Sequence, residues 1–385
     1  MRGHEMRTNH RSITSAVAPT LLALAFAASA TFAAPAARSL GVTAFDAGVA
    51  FAAANPSLIQ LAGRLAGGNA LNEGSDGRFT LLLLGSDQRP KLSGERTDIV
   101  IVMTINPKTH QAAAVSIPRD ISRLQRPAAL GGGTTGRVNA IFSAELKKVS
   151  GTPEQKRRAA LDRLRRIIEF NLQIEIDGYA MIRMTAFETL IDHIGGVNVN
   201  IPSVIKDPGF WDNPKGPRGI YFPPSASWAL KGAPSGTTGS NPLCNGWYKS
   251  GPSHLSKPGA KCTRALVYVR TRKGAGNSDF KRTRRAQDVV ASALKKVVDR
   301  GSGKLGALRS AAQGQGLALT MDPQLPSQAT ELFALASHWK SKGSPLQQAV
   351  LSPTKYAVRI SGTATYRLKL AEVRALTKAW FGPVK

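Results

Sequence analysis

Short apolar runs closed by turn-forming residues recur along the chain and predict β-strands. Residues 79–84 read FTLLLL and end at Gly85, a pattern typical of a strand that is buried on both faces. Thr97–Ile105 and Gln111–Ile117 follow, and residues 106–109 (NPKT) join them through a turn-forming sequence that predicts a hairpin. Two further strands are predicted at Val197–Ile201 and at Ala265–Val269 (ALVYV).

Apolar residues at helical spacing predict the other elements. Residues 154–172 are amphipathic, with leucines and isoleucines on one face and arginines and lysines opposite; the apolar positions are Leu161, Leu164, Ile168 and Leu172. Helices are also predicted over Thr185–Ile194, stopped by Gly195-Gly196, and over Gln287–Asp299. The last two predicted helices span 328–341 and about 370–381.

Strands that alternate with helices predict an α/β (α+β) fold, in which a mixed central sheet lies between helices. We expect a stalk or linker over residues 38–77 and a main domain over 78–300. An irregular insertion rich in Gly, Pro and Ser interrupts that domain at 206–262. Residues 301–385 are expected to form a helical extension packed on the same domain.

The charge of the chain constrains its partners. The 385 residues are 42% hydrophobic, enough for a sizeable core, and the formal net charge is +28. Such an excess favours a polyanionic partner, which could be nucleic acid, an anionic membrane surface or a phosphate-rich substrate. The alternative is a solvated basic surface that reflects only a compositionally biased genome.

The N-terminus indicates export. Arg2, Arg7 and Arg11 precede an uncharged stretch that runs from Ser12 to Ala37, and Ala28-Ser29-Ala30 fits a signal-peptidase site. Residues 1–37 are therefore predicted to be either a cleaved signal peptide or a membrane anchor. Both alternatives place the rest of the chain outside the cytoplasm, in the cell envelope or secreted, which argues against nucleic acid as a partner. In an oxidising compartment, Cys244 and Cys262 are expected to form a disulfide, with two free thiols as the alternative.

Acidic and basic residues are interleaved at the predicted strand ends. Asp87 and Arg89 follow the first strand, Arg96 and Asp98 open the second, and Arg119 and Asp120 follow the third. A second basic run contains Arg270, Arg272, Arg282 and Arg285. Arginine presents a planar fork that matches phosphate oxygens, and carboxylates beside phosphate are useful when they hold Mg²⁺. The combination predicts a pyrophosphate site that serves phosphoryl transfer.

These segments, in this order, resemble the LytR-CpsA-Psr family of cell-envelope phosphotransferases. The resemblance runs from about residue 80 to 299 and rests on LLLGSD (82–87), RTD (96–98), SIPRD (116–120), RVNA (137–140), DGY (177–179), GGV (195–197) and YVRTR (268–272) with Asp279, Arg282 and Arg285.

The resemblance implies a glycopolymer phosphotransferase that acts in cell-wall assembly. An apolar pocket would hold the lipid of a polyprenyl pyrophosphate-linked glycan, whose phosphoglycan is transferred to a peptidoglycan hydroxyl. Asp87 and Asp98 would hold Mg²⁺ (or Mn²⁺), and Asp98 or Asp120 would be the general base. The remaining implied contacts are to phosphate: Arg89, Arg96, Arg119 (also catalytic), Arg270, Arg272, Arg282, Arg285 and Gln287.

One position departs from the family pattern. Ala286 stands directly after the last arginine, where the family usually has Gln, and Gln287 follows it. This departure leaves open a second hypothesis, a non-catalytic protein that binds polyprenyl phosphates or wall polymers. A third, a membrane-tethered transcriptional attenuator, is opposed by the export signal and by the lack of a helix-turn-helix pattern.

Overall fold

The computed structural model describes residues 74–88, 94–109, 111–210, 219–232, 262–274, 277–299, 318–328 and 346–382, with single residues between 332 and 343. The predicted signal or anchor (1–37), most of the predicted stalk, Arg89 and Cys244 lie outside these residues. No helix in the described part of the chain is long and apolar enough to cross a membrane.

A six-stranded mixed sheet forms the centre of the fold. In chain order its strands are β1 (Phe79–Asp87), β2 (Arg96–Ile105), β3 (Ala112–Ser116), β4 (Gly178–Arg183), β9 (Leu319–Met321) and β10 (Leu346–Val350), and across the sheet the order is β10-β3-β2-β1-β4-β9. β1 and β3 are antiparallel to β2, which confirms the predicted hairpin, whereas β4 runs parallel to β1 and β10 runs parallel to β3.

Helices cover both faces of this sheet, which confirms the predicted fold class. They are α1 (Val138–Leu146), α2 (Pro153–Leu172), α3 (Met184–His193), α4 (Ala265–Arg270), α5 (Asp279–Asp299) and α6 (Leu370–Phe381). Alternate residues of β1 face opposite layers: Leu81 and Leu83 pack in the core with α3, α4 and α5, and Leu82 and Leu84 pack with α1, α2 and α6. The continuous apolar run of β1 therefore reflects burial on both faces.

Local sequence explains where α2 begins and which face it buries. Thr152 and Gln155 form a reciprocal capping box, and Pro153 occupies the first helical position. The four predicted apolar positions of α2 are all buried, as the periodicity predicts. Most of its arginines lie at partly or fully exposed positions, but Arg157 is buried together with the apolar residues.

Three sequence predictions of secondary structure differ from the structure. Helix α5 begins at Asp279 and not at Gln287. Residues 265–269 are not a strand but most of helix α4, and all five are buried. β1 does not end at Gly85; it continues to Asp87 through a register irregularity between Gly85 and Ser86. Such a bulge re-aims the side chains that follow it, here at the edge where polar residues gather.

Described residues of the predicted insertion and of the chain after residue 300 form strands that the sequence analysis did not predict. Within the predicted insertion, β6 (Ile205–Asp207) pairs with β7 (Ile220–Phe222), while β8 (Ser225–Leu230) pairs with β5 (Val197–Ile201). The prediction of a helical extension after residue 300 is incomplete, because this part supplies β9 and β10 to the sheet and a hairpin of β11 (Ala357–Arg359) and β12 (Tyr366–Leu368). Of the predicted helix 328–341, residue 328 ends a short 3-10 helix (Leu325–Gln328), and residues 332, 335–337, 339 and 341 are helical. The other residues of this range lie outside the described residues.

Candidate active site

A cavity of about 420 Å³ opens beside the ends of β1, β2 and β4. Its inner walls are apolar and come from the core layer that contains α3, α4 and α5; they include Leu83, Ile99, Ile182, Phe187, Leu266 and Val290. Its polar lining contains seven cationic side chains and three carboxylates. A cavity with apolar walls and a strongly cationic polar part is suited to an amphiphile with an anionic head group.

Most of the predicted site residues meet at this cavity. The lining includes Asp87, Arg96, Asp98, Arg119, Arg270, Arg272 and Arg282, which the sequence places in five separate segments. They converge because β1 ends where the antiparallel β2 begins, α5 packs against β2 and β3, and α4 packs against α5.

Asp98 on β2 is the centre of the polar contacts. Arg119 Nη1 donates to Asp98 Oδ2 at 3.1 Å, and the amide of Asn139 in α1 donates to Oδ1 at 2.9 Å. Arg282 of α5 lies 3.6 Å from Oδ2 and also donates to the backbone oxygen of Asp98. Burial disfavours the carboxylate, but Arg282, Arg119 and Asn139 outweigh that cost and lower the pKa of Asp98.

Arg119 lies between three carboxylates. Besides Asp98, its Nε is 3.7 Å from Asp279 Oδ1 and 3.8 Å from Asp120 Oδ2. Burial and the nearby Asp279 carboxyl raise the pKa of Asp120, in spite of the opposing charges of Arg119 and Arg137. Asp98 and Asp120 thus differ in protonation tendency, and Asp120 is the more basic carboxylate.

Three buried polar atoms in the ion-pair cluster around Arg119 have no hydrogen-bond partner among the described residues. They are Arg119 Nε, Arg282 Nε and Asp279 Oδ1, which lie within one ion-pair cluster. Buried groups of this kind are normally satisfied, so their presence together indicates a place where a ligand completes the contacts.

Asp207 is a further residue of the site that the sequence did not indicate, and it contacts the loop after α4. Asp207 Oδ2 accepts from the Thr271 hydroxyl at 2.7 Å and from the backbone N–H of Lys273 at 3.0 Å. Both Asp207 and Lys273 line the cavity. Asp207, which belongs to the predicted insertion, therefore fixes the loop that carries Arg272.

Arg285 and Gln287 do not line the cavity, and their assignment to phosphate needs correction. Arg285 Nε donates to the backbone oxygen of Tyr268 at 2.9 Å, and Nη1 donates to Asn277 Oδ1 at 2.9 Å. Its Nη2 donates to the backbone oxygen of Thr271. All three nitrogens thus hold the connection between α4 and α5, and burial lowers the pKa of Arg285 to about 10. Gln287 is also buried and donates to the backbone oxygen of Ala349 in β10 at 3.1 Å.

The phase of α5 explains this division. Its cavity-lining residues are Arg282, Ala286, Val289, Val290 and Ala293, which share one helical face. Residues 285 and 287 lie off that face. Because the orientation of the helix is not visible in the sequence, the sequence could not distinguish their positions from that of residue 282.

Arg183 at the end of β4 lines the cavity and was missed by sequence reasoning. Its Nε and Nη2 donate to Glu95 at 2.9 and 3.0 Å. Glu95 is 4% exposed and also pairs with Arg157 of α2. Burial disfavours ionised Glu95, but hydrogen bonds from Arg183, Arg157 and Ser86 lower its pKa to about 2.

Cys262 is disulfide-bonded. Cys244, its predicted partner, lies outside the described residues.

A family model described as the LytR_cpsA_psr family matches residues 53–380. The chain belongs to the LytR-CpsA-Psr family.

Sequence relatives in this family are named as transferases. The chain is 28% identical over 216 residues to TagV of Bacillus subtilis (strain 168), and 32% identical over 121 residues to TagU of Halalkalibacterium halodurans. Both are named polyisoprenyl-teichoic acid–peptidoglycan teichoic acid transferases. The matches cover 55% and 31% of this chain, but only 42% and 34% of the relatives.

Solved structures share the LytR-CpsA-Psr fold. The B. subtilis TagV structure has a TM-score of 0.53 at 20% identity, and the match covers 80% of this chain and 99% of TagV. Protein gbs0355 of Streptococcus agalactiae has a TM-score of 0.56 at 18% identity, over 81% and 90% of the two chains.

The departure from the LytR-CpsA-Psr pattern at residue 286 lies inside the site. Ala286 lines the cavity and Gln287 does not, so a shift of one residue does not restore the family's Gln to the cavity. This chain presents a methyl group at that position.

We predict that Arg285 acts on stability. Arg285→Met removes three hydrogen bonds from a buried position, so it should lower the free energy of unfolding by about 3 kcal/mol or more, measured by urea denaturation. Arg272→Met, at a side chain that is 38% exposed, should cost less than about 1 kcal/mol. Equal costs would contradict the structural role of Arg285.

We also predict a pH effect from Glu95. A depressed carboxyl pKa stabilises the folded state above the unfolded value of 4.5, and this contribution is lost as the pH falls toward about 2. Wild type should therefore lose on the order of 3 kcal/mol more than Glu95→Gln across that window, measured by urea unfolding at several pH values. Glu154→Gln, in an exposed pair with Arg158, should retain the acid dependence of wild type. Identical profiles for wild type and Glu95→Gln would refute the prediction.

Proposed function

We propose that this protein is a phosphotransferase that moves an anionic glycopolymer from a polyprenyl pyrophosphate carrier onto peptidoglycan. The observation that carries the proposal is the cavity, in which apolar walls meet seven cationic side chains and three carboxylates. The transferase names of the TagV and TagU relatives support the same reaction class.

The two chemical parts of the cavity match the two parts of such a carrier. Isoprenoid carbon would lie against apolar walls such as Phe187 and Leu266, where its burial is favourable. The diphosphate would lie among Arg119, Arg272 and Arg282, whose guanidinium groups match phosphate oxygens.

The reaction exchanges one phosphorus–oxygen bond for another. The acceptor hydroxyl oxygen attacks the phosphorus that carries the glycan, and the bond to the bridging oxygen breaks, which releases polyprenyl phosphate. Arg119 and Arg282 would stabilise the negative charge that develops on the phosphoryl oxygens. The Nε atoms of both residues make no hydrogen bond among the described residues and are donors for this purpose.

Asp120 is the better candidate for the general base. Asp98 already accepts from Arg119 and Asn139, and its pKa is lowered. The pKa of Asp120 is raised, which increases its driving force for taking the hydroxyl proton. The proton of the acceptor would thus pass to Asp120.

The carboxylates fit a Mg²⁺ or Mn²⁺ ion that is bound together with substrate. Mg²⁺ at phosphate sites commonly uses one or two carboxylates and completes its shell with phosphate oxygens and water. Asp87 and Asp98 line the cavity, and the described residues hold no set of three acidic, His or Cys groups that could bind a metal by itself. Asp279 Oδ1, which makes ion pairs with Arg119 and Arg282 but no hydrogen bond among the described residues, is a further acceptor in the same cluster. The ion would neutralise diphosphate charge.

Ala286 supports a second candidate function. A cavity that lacks the polar side chain usual at this position could bind a polyprenyl phosphate, or a wall polymer, without turnover. For either function, we propose that the protein acts outside the cytoplasm at the membrane surface of the cell envelope, anchored by residues 1–37 or secreted, and that it binds no nucleic acid.

The transfer reaction can be tested with Arg119→Ala. Purified protein, a polyprenyl pyrophosphate-linked oligosaccharide, Mg²⁺ and peptidoglycan fragments should yield a glycan–peptidoglycan product, detected by mass spectrometry. Arg119→Ala should reduce the rate about a hundredfold or more, because it removes a donor to the transition state. Arg163→Ala on α2, outside the cavity, should retain the wild-type rate. Binding without product from wild type would favour the non-catalytic alternative.

The metal assignment can be tested by titration calorimetry with inorganic pyrophosphate. Asp87→Asn should weaken Mg²⁺-dependent pyrophosphate binding about tenfold, while metal-free binding remains near that of wild type. Asp162→Asn on α2 is the control, since Asp162 does not line the cavity. An unchanged metal dependence in Asp87→Asn would exclude Asp87 as a ligand.

A further inference from the structure

Arg183 is held in a fixed orientation at the cavity by a buried carboxylate. It ends β4, opposite Ser86 in the parallel register with β1, and therefore emerges at the sheet edge where Asp87 also lies. Its Nε donates to Glu95 Oε1 at 2.9 Å and its Nη2 donates to Glu95 Oε2 at 3.0 Å. This two-point contact removes the rotational freedom that a lone arginine would have.

Glu95 has enough partners without Arg183. Arg157 donates to both of its oxygens, and the Ser86 hydroxyl donates to Oε1 at 2.6 Å. Arg157 is itself 4% exposed and is fixed by a bond from its Nε to Thr320 and by the ring of Phe142. Arg157 and Glu95 thus form a neutral buried pair, and Arg183 adds a positive charge that this pair does not cancel.

The remaining nitrogen of Arg183 is available at the cavity. Nε and Nη2 are used by Glu95, whereas Nη1 has no hydrogen-bond partner among the described residues. The Arg183 side chain is 21% exposed, in contrast to Arg157, and it lines the cavity. An oriented guanidinium whose Nη1 keeps both of its N–H groups, and whose charge is not cancelled, is suited to bind a phosphate oxygen.

We propose that Arg183 is a further phosphate-binding residue of this site, and that Glu95 and Arg157 are the support that positions it. The proposal rests on the proposed function in one respect, because the ligand is the diphosphate of the carrier. It adds to the cavity a cation that no sequence motif indicated. Arg183 lies on β4 and the RTD segment lies on β2, and these two strands flank β1 in the sheet.

The test uses inorganic pyrophosphate as the probe and titration calorimetry of the purified full chain. Arg183→Gln should weaken pyrophosphate binding about tenfold to a hundredfold, the loss expected for one hydrogen bond between charged groups. Arg183→Lys keeps the charge but cannot bind Glu95 at two points, so its affinity should lie between those of Arg183→Gln and wild type. Thermal unfolding establishes that each variant is folded at the temperature of the titration.

Arg163→Gln is a closely matched control. The Arg163 side chain is 25% exposed and pairs with a buried glutamate, Glu145, which keeps Arg126 as a second arginine partner. Arg163 differs from Arg183 in that it does not line the cavity, so its substitution should leave pyrophosphate affinity unchanged.

The outcomes separate this inference from the proposed function. If wild type binds pyrophosphate, Arg119→Ala loses binding and Arg183→Gln retains wild-type affinity, then the role of Arg183 is refuted while the diphosphate site stands. If wild type does not bind pyrophosphate at all, both fail. An equal loss in Arg163→Gln and Arg183→Gln would also overturn the inference, because the effect would then come from the fold rather than the site.

Discussion

The site depends on the contacts that the Asp98 carboxylate makes with two arginines and an asparagine. Arginines repel one another when they are brought together out of water, and an anion between them offsets that repulsion. Asp98 receives Arg119 from the segment after β3, Asn139 from α1 and Arg282 from α5. A single group at the start of β2 therefore joins three other elements, and the position of each arginine depends on it.

The sequence was sufficient for elements whose pattern is local. The hairpin of β2 and β3 and the apolar face of α2 follow from short-range periodicity and turn residues. Helix α4 was mistaken for a strand because five consecutive apolar residues fit either structure. Tertiary contacts determine that this segment is a helix. The backbone N–H of Ala265 donates to the backbone oxygen of Lys231, and α4 packs beside α3 and α5. β10 was missed because its partner, β3, lies far away along the chain.

The candidate site was predictable where charged residues stand at the ends of apolar strands, as Asp98 does at the start of β2 and Arg119 does after β3. It was not predictable where two arginines of the same helix differ only in the face on which they lie. Arg282 faces the cavity, and Arg285, three residues on, holds the backbone after α4. Arg183 carried no signal because a single arginine after a strand is common, and its significance comes from Glu95, which is distant in sequence.

The cavity face of α5 runs from charged to apolar along a single helix. Arg282 lies in its first turn, near the end where the backbone dipole also favours anions, and Val289, Val290 and Ala293 follow along the same lining face. An amphiphile can satisfy both ends of this gradient in only one orientation, with its anionic group toward the helix start. Ala286 lies at the boundary and can offer the head group only van der Waals contact. We expect the polar contacts to the head group at this point to come from other lining residues of the cavity, such as Arg183 at the end of β4.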